Sequence, residues 1–458
     1  MRITFFGATR TVTGSMMLIE HKEKKILMEC GLFQGRRSES EELNRHFPFD
    51  PKSIDMVIIS HAHIDHSGNL PNLVKQGFEG DIVATHATLD LLDLMLRDSG
   101  HIHEKDIEYL NKKLKKKNEP PKEPLYTVKD AEHALRHLKG YSYYSTVKID
   151  DDLQFSFIEA GHILGSSQIL FENKGRKILF TGDIGRDHMP IIRNPDNVSD
   201  VDVLITESTY GDRTHRNIKM SQDELKSIIE KTHAKRGNLV VPSFSVGRTQ
   251  EILFDIYNLK RDNAIPQMKI FVDSPLSSNV TDVFKNHPEC YDTEMMSLFN
   301  SKENPFEFDG LYYITDVEDS KQLNMLKEPS IIISSSGMCE AGRILHHLKH
   351  NITEKRNTIL VTGFMAENTL GRRIAEREKK VKIFSEEFPL KADVYIMNEY
   401  SAHADKNDLL RHVKNSNPKK IFLVHGEAGQ MDSFAKTLDL NGYKSVERPV
   451  RGEAHDFS

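Results

Sequence analysis

The stretch Ser60–Gly68, SHAHIDHSG, places His61, His63, Asp65 and His66 within six residues. The apolar run DMVIIS leads directly into it, and a helix-like segment, NLPNLVKQ, follows. Imidazole nitrogens and carboxylate oxygens are ligands that suit zinc. Because neighbouring side chains diverge, this spacing fits two metal ions better than one. We therefore expect a two-metal site in a loop at the end of a strand.

Four more ligand-type residues follow apolar runs: His162 in AGHILGS, Asp183 in FTGDIGR, His403 in YSAHAD and His425 in FLVHGE. Each is a weak signal by itself, since a histidine near a strand end is more often a structural hydrogen-bonder. Together they repeat one pattern, in which a strand ends at His or Asp between small residues. Small residues let a metal or substrate approach the backbone. The repetition favours a functional set over incidental polar loops.

Composition narrows the class of protein. The 458 residues are 28% charged, and no apolar run approaches the roughly 18 residues that span a membrane. The net charge of −6 does not indicate non-specific nucleic-acid binding, so any contact with a nucleic acid depends on a local groove and on metal ions. Three dispersed cysteines argue against a disulfide framework and favour a reducing cytoplasm. The N-terminal residues suit a first strand better than a signal peptide.

The pattern of predicted strands and helices changes along the chain. Up to about residue 209, short β-type runs alternate with loops and with helical stretches at Thr88–Arg97 and Val128–Leu138. From about Tyr210, helices and strands alternate as in a doubly wound α/β domain. After about Pro389 the chain returns to two strand–loop units. A lysine run at 112–117 is interpreted as a solvated helix end, with a minor alternative as an RNA-backbone contact.

These motifs resemble the metallo-β-lactamase superfamily, and the central ones resemble its β-CASP branch. The resemblance runs from MRITFFGATRTVTGS through ESTYGDR, PSFSVGRTQE, VDSPLSS, SSSGMCEAGR, GFMAENTLGRR and YSAHAD to LVHGE. Within that branch, the motifs resemble those of the bacterial and archaeal homologues of the nuclease subunit of the cleavage and polyadenylation factor. The implied fold is an α/β protein: a metallo-β-lactamase αββα sandwich (1–209 and 390–458) with an inserted doubly wound β-CASP domain (210–389). The active site would lie in the cleft where they meet.

The resemblance also implies a ligand set for two zinc ions per chain. One ion is held by His61, His63 and His162, and the other by Asp65, His66 and His425; Asp183 bridges the two. The family normally has Asp at the position of Glu29, in KILMECGLFQG, where the side chain orients ligands. Changes at such positions commonly cost about 10–100-fold in metal affinity or activity.

The implied reaction is hydrolysis of RNA phosphodiester bonds by a metal-activated hydroxide, leaving a 5′-phosphate and a 3′-hydroxyl. Asp65 would orient the hydroxide as well as bind zinc. His403 is the candidate general acid for the leaving oxygen, because an imidazole titrates near neutral pH. Glu207, in ESTYGDR, would hold His403 in its protonated form. Relatives often dimerise, so a homodimer is one implied assembly.

Substrate contacts are expected from the central segment. Arg248, Arg343 and Arg372 each follow glycine, where a guanidinium can fork onto a phosphate. Ser336 and Gly337 would offer backbone N–H groups to an anion. For each arginine, structural salt bridging between the domains is an equally weighted alternative.

Other functions remain open from the sequence. A DNA nuclease of the same superfamily is one alternative, although such relatives usually lack the histidine at His425. A thioesterase-like or lactamase-like enzyme is disfavoured by the central insert. A metal-binding but weakly active RNA-processing scaffold is another alternative; such members have typically lost ligands, whereas this chain keeps all seven.

Overall fold

The structure, a computed structural model, describes residues 1–35, 37–215, 218–363, 365 and 369–457. The first part of the chain alternates strands with helices: β1 (Arg2–Phe5), β2 (Met17–His21), β3 (Lys24–Met28), α1 (Arg37–Arg45), β4 (Met56–Ile58), α2 (Ile64–Ser67), α3 (Leu70–Lys75), β5 (Asp81–Thr85), α4 (His86–Lys116), α5 (Val128–Ala134), β6 (Leu138–Tyr141), β7 (Val147–Lys148), β8 (Leu153–Glu159), β9 (Ser167–Asn173), β10 (Arg176–Phe180) and β11 (Val203–Glu207).

The middle part is a regular alternation: α6 (Ile218–Ala234), β12 (Leu239–Pro242), α7 (Arg248–Arg261), β13 (Lys269–Val272), α8 (Pro275–Asn286), α9 (Thr293–Ser301), β14 (Leu311–Tyr313), α10 (Val317–Leu323), β15 (Ser330–Ser334), α11 (Ile344–Asn351), β16 (Thr358–Thr362), α12 (Leu370–Ala375), β17 (Lys380–Ile383), β18 (Glu386–Pro389) and β19 (Asp393–Met397). The last part contains α13 (Lys406–Ser416), β20 (Lys420–Val424), α14 (Ala428–Leu440), β21 (Val446–Glu447) and β22 (Glu453–Asp456).

The chain forms two compact units, the first from residues 1–187, 194–214 and 403–458 and the second from 188–193 and 215–402. Among the described residues, the first unit has two seven-stranded sheets, ordered β22-β1-β2-β3-β4-β5-β6 and β21-β20-β11-β10-β9-β8-β7. Helix α4 packs on β5 and β6 of one sheet. Helices α13 and α14 share a hydrophobic core with the other sheet. These layers confirm the expected αββα sandwich.

The core between the two sheets follows from the alternation of apolar residues in the strands. Along β8, buried residues alternate with half-buried ones, and Phe155 and Phe157 point into the sandwich. They share one core with Phe171 of the same sheet and with Phe5 and Met28 of the opposite sheet. Side chains of a strand face opposite sides at every second residue, so this pattern fixes which face is buried. The strand ends are thereby held in a rigid scaffold.

The second unit has a parallel sheet, ordered β14-β13-β15-β12-β16-β19 in the part of the chain that the structure describes. The helices between its strands make it a doubly wound α/β unit, as expected. Strand β19 pairs in parallel with β16, from Thr358 opposite Asp393 to Thr362 opposite Met397. The sequence placed residues from 390 onward in the first domain, but this pairing puts β19 in the second unit, and the first unit resumes at His403.

Helix α4 is much longer than the predicted segment Thr88–Arg97. It continues to Lys116 and carries the lysine run on its exposed C-terminal end, where Lys112 pairs with Glu108. Positively charged side chains at the C-terminal end of a helix interact favourably with the helix dipole. No helix among the described residues is both long and apolar enough to cross a membrane.

Candidate metal centre

Five of the seven predicted ligands lie just after a strand of the first unit, and Asp65 and His66 lie in the short helix α2. His61 and His63 follow β4, His162 follows β8, Asp183 follows β10 and His425 follows β20. Glycines let these loops approach one another closely: a Cβ at Gly31 would lie 1.7 Å from the carbonyl oxygen of Asp65. The loops therefore converge from both sheets, although their residues are separated by up to about 360 positions in sequence.

One group of donors consists of three imidazoles. Nδ1 of His63 lies 3.1 Å from Nε2 of His61 and 3.2 Å from Nε2 of His162. Donors around a tetrahedral zinc ion stand about 3.3 Å apart, since each lies about 2.0–2.1 Å from the ion. The three nitrogens thus have the spacing that a single zinc ion requires, and Asp183 belongs to the same group.

A second group brings together Asp65, His66 and His425. Oδ2 of Asp65 lies 3.3 Å from Nε2 of His425 and 3.9 Å from Nε2 of His66. This group also matches the set that the family resemblance implied for a second ion. The sequence therefore predicted correctly which seven residues come together; their role as ligands stays a prediction.

Asp183 stands between the two groups. Its Oδ2 lies 3.5 Å from Nε2 of His61, 3.6 Å from Nε2 of His162 and 3.3 Å from Nε2 of His66, while its Oδ1 lies 3.4 Å from Nδ1 of His425. One carboxylate oxygen thus faces members of both groups. This is the position that a bridging ligand needs.

The ligand-type nitrogens are oriented by outer partners. Glu29 is fully buried; its Oε2 lies 2.7 Å from Nδ1 of His66, and its Oε1 accepts a 2.6 Å hydrogen bond from the Ser60 amide. Ser60 Oγ lies 2.9 Å from Nδ1 of His61, and Thr209 Oγ1 lies 3.0 Å from Nδ1 of His425. Such contacts fix the tautomer and ring orientation of a metal-binding histidine. Glu29 therefore stands where the family usually has aspartate, and each of its two carboxylate oxygens has a hydrogen-bond partner.

Ser60 and Thr209 were not predicted from the sequence as partners of the candidate ligands. Ser60 directly precedes His61 in SHAHIDHSG, so its position next to a candidate ligand could have indicated this contact. Thr209 lies in ESTYGDR, 216 residues before His425, and no local pattern indicates that pairing.

The protonation states of the three-imidazole group and of Asp183 fit metal binding. Burial, together with neighbouring imidazoles, holds the pKa of His61 and His162 well below the usual histidine value. Burial also lowers the pKa of His63, to about 4. Neutral imidazole is the form that binds metal. Burial would raise the pKa of Asp183, but the surrounding histidines outweigh it and lower the pKa, so the carboxylate is ionised.

Within the described part of the chain, three buried atoms of the candidate ligands have no hydrogen-bond partner: Nδ1 of His162, Nε2 of His66 and Oδ1 of Asp183. Of these, Nε2 of His66 lies near Asp183, and Oδ1 of Asp183 lies near His425. Burying a polar atom without a partner costs on the order of 1–3 kcal/mol. A cation between the two groups would compensate the atoms of His66 and Asp183. The donor set, its spacing and these orphaned atoms therefore fit two zinc ions.

His403 and Glu207 form a separate pair beside the two groups. Nδ1 of His403 lies 3.1 Å and 3.2 Å from the two carboxylate oxygens of Glu207, and its ring centroid is 4.5 Å from that of His162. The Ile184 amide donates to Glu207 Oε1 at 2.7 Å, which fixes the carboxylate. Burial lowers the pKa of His403, but the charges of Glu207 and Asp183 outweigh it and raise the pKa to about 9.

The expected phosphate contacts lie in the second unit, and two of the arginines are engaged there. Arg248 is buried and bonds to Glu251 at 3.0 Å and to the carbonyl of Thr362 at 2.9 Å. Arg343 bonds to buried Asp273 at 2.6 Å and to the carbonyls of Ile314 and Thr315. These contacts favour the structural alternative for both, within one unit rather than between domains.

Arg372 is partly exposed on α12, and its Nε donates to Glu376 at 2.6 Å. Ser336 and Gly337 lie in the loop after β15. Ser336 Oγ accepts from the Glu340 amide at 3.2 Å, which shapes this loop. Part of the GFMAENTLGRR motif lies outside the described residues. Phosphate binding by Arg248, Arg343, Arg372, Ser336 and Gly337 stays a prediction.

Three family models match successive parts of the chain. The metallo-β-lactamase superfamily matches residues 9–230, the Beta-Casp domain 249–374, and the Zn-dependent metallo-hydrolase RNA specificity domain 387–449. A Thermus thermophilus protein, ribonuclease TTHA0252, is 34% identical over 96% of this chain and 97% of its own length. The chain belongs to the β-CASP ribonuclease family of the metallo-β-lactamase superfamily.

Other relatives agree with this assignment. An RNase J-like protein of Methanocaldococcus jannaschii is 32% identical over 98% of both chains. The transcription termination factor FttA of the same organism is 28% identical over 99% of this chain and 71% of its own length. A solved structure of an Enterococcus faecalis V583 protein of unknown function shares the fold, with a TM-score of 0.56 at 13% identity over 99% of both chains. The predicted family and activity class, a metallo-hydrolase of the ribonuclease type, are confirmed.

Proposed function

We propose that this β-CASP family member is a two-zinc ribonuclease that hydrolyses RNA internally and leaves a 5′-phosphate and a 3′-hydroxyl. The observation that carries the proposal is the position of Asp183, whose carboxylate faces a three-imidazole group on one side and the Asp65, His66 and His425 group on the other. Such a paired arrangement suits displacement at phosphorus.

His61, His63 and His162 would hold one ion, Asp65, His66 and His425 the other, and Asp183 both. When bound, the two ions would supply a hydroxide nucleophile at neutral pH and neutralise charge on the phosphate. Asp65 would also orient the attacking oxygen. Asp65 and His63 are half-buried, whereas the other five candidate ligands are buried. Part of the Asp65 side chain is therefore accessible to a substrate.

His403 would donate the proton that the leaving 3′-oxygen takes up. Its Nδ1 faces Glu207, so Nε2 remains for the substrate. Glu207 favours the imidazolium form through charge and hydrogen bonding and fixes the ring. His403 is also held by its pairing with Gly185 and by the Ala404 amide, which donates to the carbonyl of Ile184 at 2.8 Å. The proton donor is thus positioned by backbone as well as by Glu207.

RNA is favoured over DNA by His425, which DNA-processing relatives usually lack, and by the RNA specificity domain model at residues 387–449. The scaffold alternative is disfavoured, since all seven ligand-type residues are present and converge. A homodimer, which relatives often form, is the assembly that we propose.

Incubation of the zinc-loaded protein with linear end-labelled RNA, circular RNA and DNA of the same sequence tests the proposal. Cutting of the circle with 5′-phosphate ends is the expected result. Cutting of linear RNA alone would show an exonuclease, and preferential cutting of DNA would overturn the substrate assignment. Metal analysis of the same preparation should give two zinc ions per chain.

A further inference from the structure

In the second unit, the connections that leave β12 and β15 run in opposite directions along the sheet. These strands are parallel neighbours, with Pro242 opposite Ser334. In the sheet, the order of the four central strands is β13-β15-β12-β16. The chain leaves β12 toward β13 and passes β15, whereas it leaves β15 toward β16 and passes β12 in the opposite direction. Crossovers between parallel strands are right-handed, so connections that run in opposite directions lie on opposite faces of the sheet. The carboxyl ends of β12 and β15 are therefore a topological switch point, where open α/β sheets bind ligands.

One exposed aromatic side chain occupies this switch point. Phe244, in the loop after β12, is 41% exposed. Its ring lies against Gly337, in the loop after β15: a Cβ added at Gly337 would stand 2.8 Å from Cδ2 and 2.9 Å from Cε2 of the ring. Only glycine leaves room for the ring in this position. The ring is therefore supported by backbone rather than by flexible side chains.

The Phe244 loop is fixed at its base. Its carbonyl accepts a 2.8 Å hydrogen bond from Thr249 Oγ1 on α7, and the Ser243 amide donates to Ser334 at 3.0 Å. The two loops are thus joined at the edge of the sheet. A rigid apolar ring that is presented to solvent at a ligand-binding edge loses little freedom when it is covered.

We propose that Phe244 is a stacking platform for an unpaired base of the RNA substrate, an inference that rests on the proposed ribonuclease function. Aromatic side chains bind single-stranded RNA by stacking on exposed bases, and every base offers a flat face. Stacking contributes about 1–3 kcal/mol per base, or about 5- to 150-fold in affinity.

Exposure of an aromatic ring is not by itself a sign of binding, because much of a protein surface is apolar. Phe299 on α9 provides a matched control, since it is 46% exposed in the same unit but does not follow a strand of the sheet. The position at the switch point and the support by Gly337 distinguish Phe244 from Phe299.

The experiment measures the affinity of single-stranded RNA in a His403→Ala background, where the RNA is cut slowly. Phe244→Ala should weaken binding about 5- to 150-fold, whereas Phe244→Trp and Phe299→Ala should bind as the parent does. A series of RNAs with one abasic position should contain one that binds the parent less well. Phe244→Ala should be insensitive to that abasic position. If Phe244→Ala does not fold, Phe244→Leu keeps the bulk without the aromatic face and serves for the same comparison.

Equal affinity of the Phe244→Ala and Phe299→Ala variants would overturn the platform, as would equal sensitivity of the parent and Phe244→Ala to every abasic position. Either result leaves the ribonuclease proposal intact if the protein with His403 cuts RNA. Failure of that protein to cut RNA would instead refute the proposed function, and the platform with it.

Discussion

Nδ1 of His403 lies 3.1 Å from Oε2 of Glu207, while the carboxylate of Glu207 also accepts the backbone amide of Ile184. The two residues are 196 positions apart in sequence. Since Asp183 lies within 3.9 Å of the same imidazole nitrogen, the pair stands beside the candidate metal ligands without being needed to complete either group. Proton transfer and metal binding can therefore be separated by mutation.

His403→Ala should keep two zinc ions and bind RNA, but its cleavage rate should fall by roughly 100- to 10,000-fold, the usual contribution of general acid catalysis. An RNA with a 3′-phosphorothiolate at the cleaved bond should restore the rate, because the sulfur leaves without a proton. Single-turnover cleavage and metal analysis measure both effects. Loss of zinc in this variant would show that His403 is a ligand.

Glu207→Gln should resemble His403→Ala but with a smaller loss of rate. The amide keeps the size of the side chain and removes the charge that favours the imidazolium form. The same phosphorothiolate substrate should reduce the difference between Glu207→Gln and the parent. A loss of rate larger than that of His403→Ala would contradict a role that acts only through His403.

His425→Ala should weaken or empty one zinc site and lose activity for that reason. Its Nε2 faces Asp65 Oδ2 at 3.3 Å and its Nδ1 is held by Thr209, so the imidazole belongs to one group of donors. The phosphorothiolate substrate should not rescue this variant. Two zinc ions retained with full affinity, or rescue equal to that of His403→Ala, would show that the two histidines have been assigned the wrong roles.

Glu29→Asp should lower metal affinity by about 10–100-fold, although aspartate is the residue the family usually has at this position. Glu29 uses one oxygen for His66 and the other for the Ser60 amide, and a side chain one methylene shorter cannot keep both distances without a backbone shift. Glu29→Gln keeps the length and is the matched control for the loss of charge. Zinc competition titrations give the comparison, and unchanged affinity in Glu29→Asp would show that the backbone adapts.

Arg343→Ala should destabilise the protein by on the order of 3 kcal/mol, because it leaves the buried carboxylate of Asp273 with less compensation. Arg372→Ala should change the free energy of unfolding by less than about 0.5 kcal/mol, since its pair with Glu376 is exposed. Urea unfolding measures both.

Because Arg372→Ala is expected to remain stable, its KM for RNA can be compared directly with that of the parent. A raised KM would identify Arg372 as a substrate contact, whereas an unchanged KM would contradict the predicted phosphate contact.

The sequence by itself determined the family, the class of chemistry and the set of residues that we propose as metal ligands. The motifs are short and local: HAHIDHSG carries four ligand-type residues in one loop, and each later His or Asp closes an apolar strand that hydrophobic alternation makes recognisable. Strand residues such as those of β8 could be placed for the same reason, because burial alternates with a period of two.

Only the tertiary structure decided the contacts that join distant segments. It paired His425 with Thr209 and gave both oxygens of Glu29 a partner. It also paired Arg343 with Asp273 and placed β19 in the sheet of the second unit. Gly337 came beneath Phe244 in the same way. In each case the partner is chosen by strand order and loop approach rather than by neighbouring residues, and a local pattern holds no information about which distant loop will meet it.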